Sequence, residues 1–244
     1  ILDQPPPDKT MLCLITRFAT MTLKEATNCS RIVYFELDED SEVADEYTYY
    51  RRGSSFLCKY KGRFFIVTAE HVIKEDDDLE RLLLLSEKDD ETILYPDHSI
   101  KIQGDEEDFK DIRVLRIAED IDNNEWQADA ILITRESIHD GRSAYNTNGL
   151  LVLSGFPGEL QQVDYDKKEL RQRRQIVKCK YDSETAAYKH KMKLPSDHGF
   201  KSLAGFSGSP VLCEANGSFG ISGIAIQGGS TAVQFVDSAV LWNV

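Results

Sequence analysis

Short apolar segments alternate with polar, charged or glycine-containing stretches along most of the chain. The apolar segments predict strands, at residues 11–17, 32–37, 56–58, 63–68, 82–85, 100–103, 112–117, 130–133, 150–153, 176–181, 218–227 and 232–236. Thr22 with Glu25 three residues later predicts a short capped helix over residues 22–28. Many short strands with few helices predict an all-β fold closed into barrels.

Two stretches lack periodicity and are interpreted as connections. Residues 137–148 are polar, and we expect them to join a first barrel to a second one. This gives a unit at residues 1–140, with an N-terminal extension and the first barrel, and a unit at residues 141–244 with the second barrel. Residues 184–201 are long and irregular, and we expect a loop there.

Composition narrows the class of protein. Of the 244 residues, 41% are hydrophobic, enough for a substantial core, and the net charge is −13. This charge disfavours nucleic acid as a partner, because phosphate binding needs a basic surface. Residues 167–174 are locally basic and are interpreted as a solvated hairpin tip.

Cysteine usage and the N-terminus bear on location. The five cysteines form no Cys-x-x-Cys pair, and their odd number favours reduced core residues in a reducing compartment. The N-terminal residues do not resemble a signal peptide, and no apolar stretch is long enough to cross a membrane. We therefore expect a cytoplasmic protein without membrane contact. No metal-ligand spacing is present, and we expect neither a metal nor a cofactor.

The most informative motif surrounds Ser207, which lies between Phe206 and Gly208 and is followed by Ser209 and Pro210. Glycines near a serine allow a tight turn and let backbone N–H groups approach a ligand. Two such N–H groups beside a hydroxyl form an oxyanion hole for acyl transfer. A surface turn between two strands is the alternative interpretation.

Two other motifs precede it. His71 ends an apolar strand that finishes Thr68-Ala69-Glu70, and Asp129 stands before the apolar residues 130–133. With Ser207, these segments resemble the Thr-Ala-x-His, Asp-x-Ala-x-Leu and Gly-x-Ser-Gly-x-Pro motifs of the chymotrypsin/trypsin-like serine peptidase family. The order His71, Asp129, Ser207 is also that family's order. The resemblance extends from about Arg51 to the C-terminus.

The resemblance implies a fold of two six-stranded antiparallel β-barrels and a catalytic triad. His71 would be the general base, Asp129 would orient it, and Ser207 would be the nucleophile. The oxyanion hole would consist of the N–H groups of Gly205 and Ser207. Three other aspartates compete with Asp129 for the acidic role: Asp97, Asp111 and Asp122.

The chain departs from the digestive branch of that family at two positions. Phe206 stands where that branch has the aspartate that receives a new N-terminal ammonium, and Ser209 stands where it has a second glycine. Its secreted enzymes also pair a cysteine directly after the histidine, where this chain has Val72. The Phe206 difference resembles the intracellular and bacterial branches, which are controlled by loop ordering or by partner domains. A regulatory partner is therefore plausible in addition to a peptide or protein substrate.

Substrate contacts follow from the same resemblance. A peptide would pair with the strand near Gln227, Gly228 and Gly229 by β-augmentation. Lys201, six positions before Ser207, would lie at the base of the side-chain pocket and favour an acidic substrate residue. Two alternatives remain open. One is a catalytically silent trypsin-fold module that binds a partner protein, and the other is an esterase on another fold, which the residue order disfavours.

Overall fold

The computed structural model describes residues 20–36, 49–73, 76–86, 93–102, 111–117, 124–135, 137–139, 149–164 and 169–243. The chain is mostly antiparallel β-structure, which confirms the predicted all-β class. The strand predicted at residues 11–17 lies outside the described residues, as do Cys13 and Asp122.

The first half of the chain forms an eight-stranded sheet. Its strands are β1 (Ser30–Glu36), β2 (Tyr49–Tyr60), β3 (Arg63–Ala69), β4 (Leu82–Leu85), β5 (Ile93–Leu94), β6 (Pro96–Lys101), β7 (Ile112–Ile117) and β8 (Ile131–Leu132). Seven are ordered β5-β4-β1-β2-β3-β7-β6, and β8 pairs with β2 in parallel. Among the described residues this sheet does not close, so the predicted first barrel is not confirmed.

The second half forms a closed antiparallel barrel of six strands, as predicted. These strands are β9 (Leu150–Gly155), β12 (Gln175–Ala186), β13 (Lys189–Lys193), β14 (Pro210–Ala215), β15 (Ser218–Gly228) and β16 (Ala232–Asp237). A separate two-stranded ribbon pairs β10 (Gln162–Asp164) with β11 (Glu169–Arg171). Around the barrel the order is β12-β13-β16-β15-β14-β9.

Helices are few and short. The α-helices are α1 (Leu23–Thr27) and α2 (Asn124–Asp129), and 3-10 turns cover Glu70–Val72, Asp76–Arg81, Gly158–Leu160 and Ser238–Asn243. The predicted cap of α1 is confirmed, because Thr22 and Glu25 form a reciprocal capping box. In the part of the chain described here, no helix has the length and apolar character needed to cross a membrane.

The irregular loop predicted at residues 184–201 is wrong in its first part. Strand β12 continues to Ala186, and β13 follows after a two-residue turn. In β13, His190 and Met192 are buried while the lysines between and beside them point outward. This period-two alternation indicates a half-buried strand, and it was readable in the sequence.

One hydrophobic cluster extends across both halves, and the barrel has a second cluster of its own. Buried residues of the first sheet pack together with second-half side chains, among them Val152, Leu212, Ile224 and Val236. Four of the five cysteines are described, and all four are buried free thiols: Cys29, Cys58, Cys179 and Cys213. The packed contact between the halves fixes the position of loops at the junction, where the predicted site residues lie.

Candidate active site

His71 lies in the 3-10 turn that follows β3. Strand β3 is an apolar segment that ends at Ala69, and the turn closes where the N–H of Ile73 donates to the carbonyl of Glu70 over 2.9 Å. Val72 and Ile73 are buried and hold the turn against the core, whereas the His71 side chain is 49% exposed. A rigid strand therefore presents the imidazole at the surface.

Asp111 is the carboxylate that contacts His71. Its Oδ1 lies 2.8 Å from Nδ1 of the imidazole. A carboxylate can only accept, so Nδ1 carries the proton and Nε2 is left as the basic nitrogen. The hydrogen bond to Asp111 raises the pKa of His71, and this exceeds the opposing effect of partial burial. Asp111 thus fixes the tautomer and the orientation of the His71 ring.

The register of two strands brings this pair together. Strand β7 runs antiparallel to β3, with Ala69 opposite Ile112. Asp111 immediately precedes β7 and His71 closely follows β3, so both lie at the same edge of the sheet. The aspartate that precedes the neighbouring strand is therefore the one within reach of the histidine.

A second ion pair lies beside the first. Arg113 is almost fully buried, and its guanidinium donates twice to the carboxylate of Glu70, with the Nε to Oε2 distance at 2.5 Å. Nη1 of Arg113 also donates to Oγ of Ser99 over 2.5 Å. Because Glu70 precedes His71 and Arg113 lies two residues after Asp111, this bidentate pair fixes the turn that carries His71 against the strand that follows Asp111.

The predicted triad acid, Asp129, lies elsewhere. It ends α2, and its Oδ2 accepts a hydrogen bond from Nη2 of Arg31 over 2.7 Å. The Arg31 side chain is 2% exposed and lies over the ring of Trp126. A buried guanidinium needs a counterion, and Asp129 supplies it. The expected partner of His71 is therefore corrected from Asp129 to Asp111.

Ser207 lies in a tight turn with a glycine on each side. Gly205 has φ +97° and Gly208 has φ +86°, which is the left-handed region that glycine adopts without strain. A Cβ atom on Gly208 would lie 1.9 Å from the carbonyl oxygen of Ser54. Both positive φ angles and this close approach explain why the motif needs glycines.

The Ser207 turn lies against the same part of the first sheet as the histidine turn. The N–H of Ser54 in β2 donates to the carbonyl of Ser207 over 2.8 Å. A Cβ atom on Gly53 would lie 2.8 Å from Val72 and 3.1 Å from the carbonyl of Ser207. Val72 directly follows His71. The backbone of Gly53 therefore lies between the turn that carries His71 and the turn that carries Ser207.

Two backbone N–H groups of this turn have no partner among the described residues, and they are those of Gly205 and Ser207. Their peptide planes are nevertheless fixed through the carbonyls. The N–H of Gly158 donates to the carbonyl of Ala204 over 2.7 Å, and the N–H of Ser209 donates to the carbonyl of Phe206 over 2.9 Å. Carbonyl and N–H point in opposite directions in a trans peptide, so both free donors have a defined direction.

The predicted substrate-binding residues line the end of β15. The pairing of β14 with β15 ends at Ile224, so Gln227 and Gly228 pair with β16 on one side only. These two residues and Gly229 are exposed. Hydroxyl Oγ of Ser207 donates to the carbonyl of Ile226 over 3.5 Å, which places this strand edge beside the serine.

Lys201 is exposed at the entrance of the loop before Ser207. Its N–H donates to the carboxylate of Glu159, with distances of 3.1 and 3.2 Å to the two oxygens. Further along this loop, a Cβ atom on Gly228 would lie 2.9 Å from Cβ of Leu203, so the loop packs against β15. Lys201 is therefore in contact with solvent, whereas Leu203 packs against β15.

Phe206 belongs to the core of the barrel. It is 2% exposed, and its ring meets that of Phe200 edge to face at 5.5 Å. The side chain of Phe206 therefore packs in the barrel core.

Three residues that hold or complete this candidate site were not identified from the sequence as its members. Gly158 and Ser54 act through contacts between distant segments, for which the sequence carries no local signal. Asp111 was only one of three competing aspartates, although it precedes the apolar run 112–117 as directly as Asp129 precedes its own.

Among the described residues no cluster of three or more His, Cys, Asp and Glu side chains is positioned to hold a metal ion.

Comparison with known proteins gave no match, either to a protein-family model or to a curated protein sequence.

Proposed function

We propose that this chain is a trypsin-like serine endopeptidase with Ser207 as nucleophile, His71 as general base and Asp111 as the orienting acid. The observation that supports this most strongly is the His71–Asp111 pair at the edge of the first sheet, next to a glycine-flanked serine with two free N–H donors. A surface turn has no need of an ion-paired histidine or of directed, unpartnered donors.

The proposed reaction follows from these positions. Ser207 Oγ attacks the carbonyl carbon of the scissile peptide while Nε2 of His71 takes the hydroxyl proton. Asp111 stabilises the imidazolium, and the N–H groups of Gly205 and Ser207 stabilise the oxyanion. His71 then protonates the leaving amine as the C–N bond breaks. Water, activated by the same imidazole, hydrolyses the acyl-enzyme and restores the serine.

A peptide substrate fits the exposed end of β15. Backbone groups of Gln227 and Gly228 on the side not paired with β16 can add an extended segment as a further strand. The open edge lies next to Ser207, because Ile226 accepts the serine hydroxyl. The two-barrel architecture remains part of this proposal, with the barrel of the second half as its closed member.

A partner-binding module without activity is the second candidate. One observation favours it: no hydrogen bond joins Ser207 to His71 among the described residues, and the hydroxyl contacts Ile226 instead. Catalytic hydrogen bonds are often long in the absence of substrate and tighten when it binds, so this geometry is compatible with an enzyme.

Labelling with a fluorophosphonate probe distinguishes the two candidates. Wild-type protein should be labelled covalently at Ser207, and Ser207→Ala should abolish labelling. Ser230→Ala, at an exposed serine on the loop between β15 and β16, is the matched control and should label at the wild-type rate. Folded wild-type protein that does not label at any pH between 6 and 9 would favour the binding module.

A further inference from the structure

We infer that the hydroxyl group of Ser54 is a positioning group for the oxyanion hole, which deepens the proposed function and rests on it. Ser54 does not touch the reacting atoms. It acts through the backbone of the nucleophile turn, and its side chain is fully buried at the point where the first sheet meets the barrel.

Ser54 uses all of its hydrogen-bonding groups at this point. Its Oγ donates to the carbonyl of Gly205 over 2.6 Å and accepts from the N–H of Phe156 over 3.0 Å. Its own N–H donates to the carbonyl of Ser207, and its carbonyl accepts from Oγ1 of Thr68 over 2.7 Å. One residue thus joins the nucleophile turn, the loop after β9 and the strand that leads to His71.

Hydrogen bonds hold the peptide planes on either side of Gly205. The plane before Gly205, which carries its N–H, is held where Ala204 accepts from Gly158. The plane after Gly205 is held where its carbonyl accepts from Ser54 and where the N–H of Phe206 donates to the carbonyl of Leu203 over 3.1 Å. Gly205 itself offers little resistance to rotation, because glycine has no Cβ and populates both signs of φ. The direction of its N–H therefore depends on both anchors.

Loss of the hydroxyl group would release one anchor. In Ser54→Ala the carbonyl of Gly205 loses its partner, and so does the buried N–H of Phe156. A buried polar group without a partner is unfavourable, so the turn would rotate to satisfy its carbonyl elsewhere. The oxyanion donor on Gly205 would then point away from the developing charge for part of the time.

A neighbouring residue provides a matched control. Ser55 lies next to Ser54 on β2, is also fully buried, and donates to the carbonyl of Arg31 over 3.4 Å. Its hydroxyl does not contact the nucleophile turn. Ser55→Ala removes the same atom from the same strand, so it controls for the loss of a buried hydroxyl group at this position of the sheet without the effect on Gly205.

The experiment measures the second-order rate of fluorophosphonate labelling against pH, together with the thermal midpoint of unfolding. For Ser54→Ala we expect the maximal rate to fall about 10- to 100-fold, somewhat less than full removal of an oxyanion donor causes. The pH midpoint should stay unchanged, because the His71–Asp111 pair is intact. Ser55→Ala should keep both the rate and the pH midpoint. Ser54→Cys, whose thiol donates weakly, should fall between wild type and Ser54→Ala.

The outcomes separate this inference from the proposed function. A wild-type protein that does not label overturns both. A labelling wild type with Ser54→Ala at the same maximal rate overturns the role of Ser54 alone. An equal loss of rate in Ser55→Ala would also overturn it, since the effect would then be one of packing. If Ser54→Ala does not fold, Ser54→Cys takes its place in the test. A Ser54→Cys variant that folds and labels at the full wild-type rate would overturn the role of Ser54.

Discussion

The identity of the triad acid can be tested by replacing each of two aspartates with asparagine. Asp111→Asn keeps the shape of the residue that contacts His71 but removes its charge. Asp129→Asn makes the same change in the residue that contacts Arg31. The two variants are matched in chemistry, and the structure predicts opposite consequences for activity and stability.

The expected loss in Asp111→Asn follows from the geometry. At the 2.8 Å separation of Nδ1 and Oδ1, the imidazolium and the carboxylate attract by about 6 kcal/mol at an effective dielectric of about 20, and by about 1.5 kcal/mol in water. Both side chains are partly exposed, at 49% and 33%, so solvent screens part of this. An attraction energy between these two limits, about 3 to 5 kcal/mol, corresponds to a decrease in kcat of roughly 10²- to 10⁴-fold.

The pH profile provides a second measurement. The base must be neutral to accept a proton, so activity rises as pH passes the pKa of His71. Asp111 raises that pKa, and Asp111→Asn should therefore move the acidic limb of kcat/KM to lower pH while the plateau falls. The His71–Asp111 pair should also contribute to the free energy of unfolding. This contribution is complete below the unfolded-state pKa of histidine, about 6.5, and is lost as pH rises through the higher pKa of His71 in the folded protein.

For Asp129→Asn we expect the opposite result: activity is kept and the free energy of unfolding falls. Its kcat should stay within about twofold of wild type, because the residue does not contact His71. Arg31 would keep an amide oxygen but lose its counterion, at an expected cost of about 1 to 3 kcal/mol in the free energy of unfolding. Labelling kinetics, pH profiles and urea unfolding check both variants. Wild-type activity in Asp111→Asn, together with a large loss in a folded Asp129→Asn, would refute the assignment.

Three further predictions address the surrounding structure. Gly208→Ala should lower the free energy of unfolding by several kcal/mol or prevent folding, because its Cβ would meet the carbonyl of Ser54; a stable variant by urea denaturation would contradict the packing described. Cys29 and Cys179, whose pKa values burial raises to about 12, should react with a thiol reagent only after unfolding, and reductant should not change activity; fast labelling of the native protein would disprove this. Arg113→Lys should lower kcat more than it raises KM, since lysine cannot hold Glu70, the residue before His71, with two hydrogen bonds, and an unchanged kcat would exclude that role.

Local signals predicted the local structure well. Thr22 and Glu25 predicted the capped helix, and the turn at Lys61-Gly62, with φ angles of 48° and 82°, is equally local. In these places a few neighbouring residues satisfy their own backbone groups, so no distant partner is needed. The apolar run 63–68 likewise predicted β3 and so placed His71 at a strand end.

Pairing between distant strands was harder to predict. The first half has enough apolar segments for a barrel, yet its described strands form an open eight-stranded sheet. Closure depends on which edges meet after the whole chain has packed, and a pattern of apolar segments carries no such information. The lysine-rich β13 was missed for a different reason: its alternation is clear, but lysine is uncommon in strands.

The sequence by itself determined that the chain is an all-β protein, that a histidine ends a buried strand, and that a serine lies in a glycine-flanked turn. Only the tertiary structure decided which carboxylate meets that histidine and what holds that turn. The pairing register of β7 with β3 brings Asp111 next to His71. Asp129 instead pairs with Arg31, which lies 98 positions away along the chain. Strand register and the neutralisation of buried charge are set by packing between distant segments, so residue types and spacing alone could not specify them.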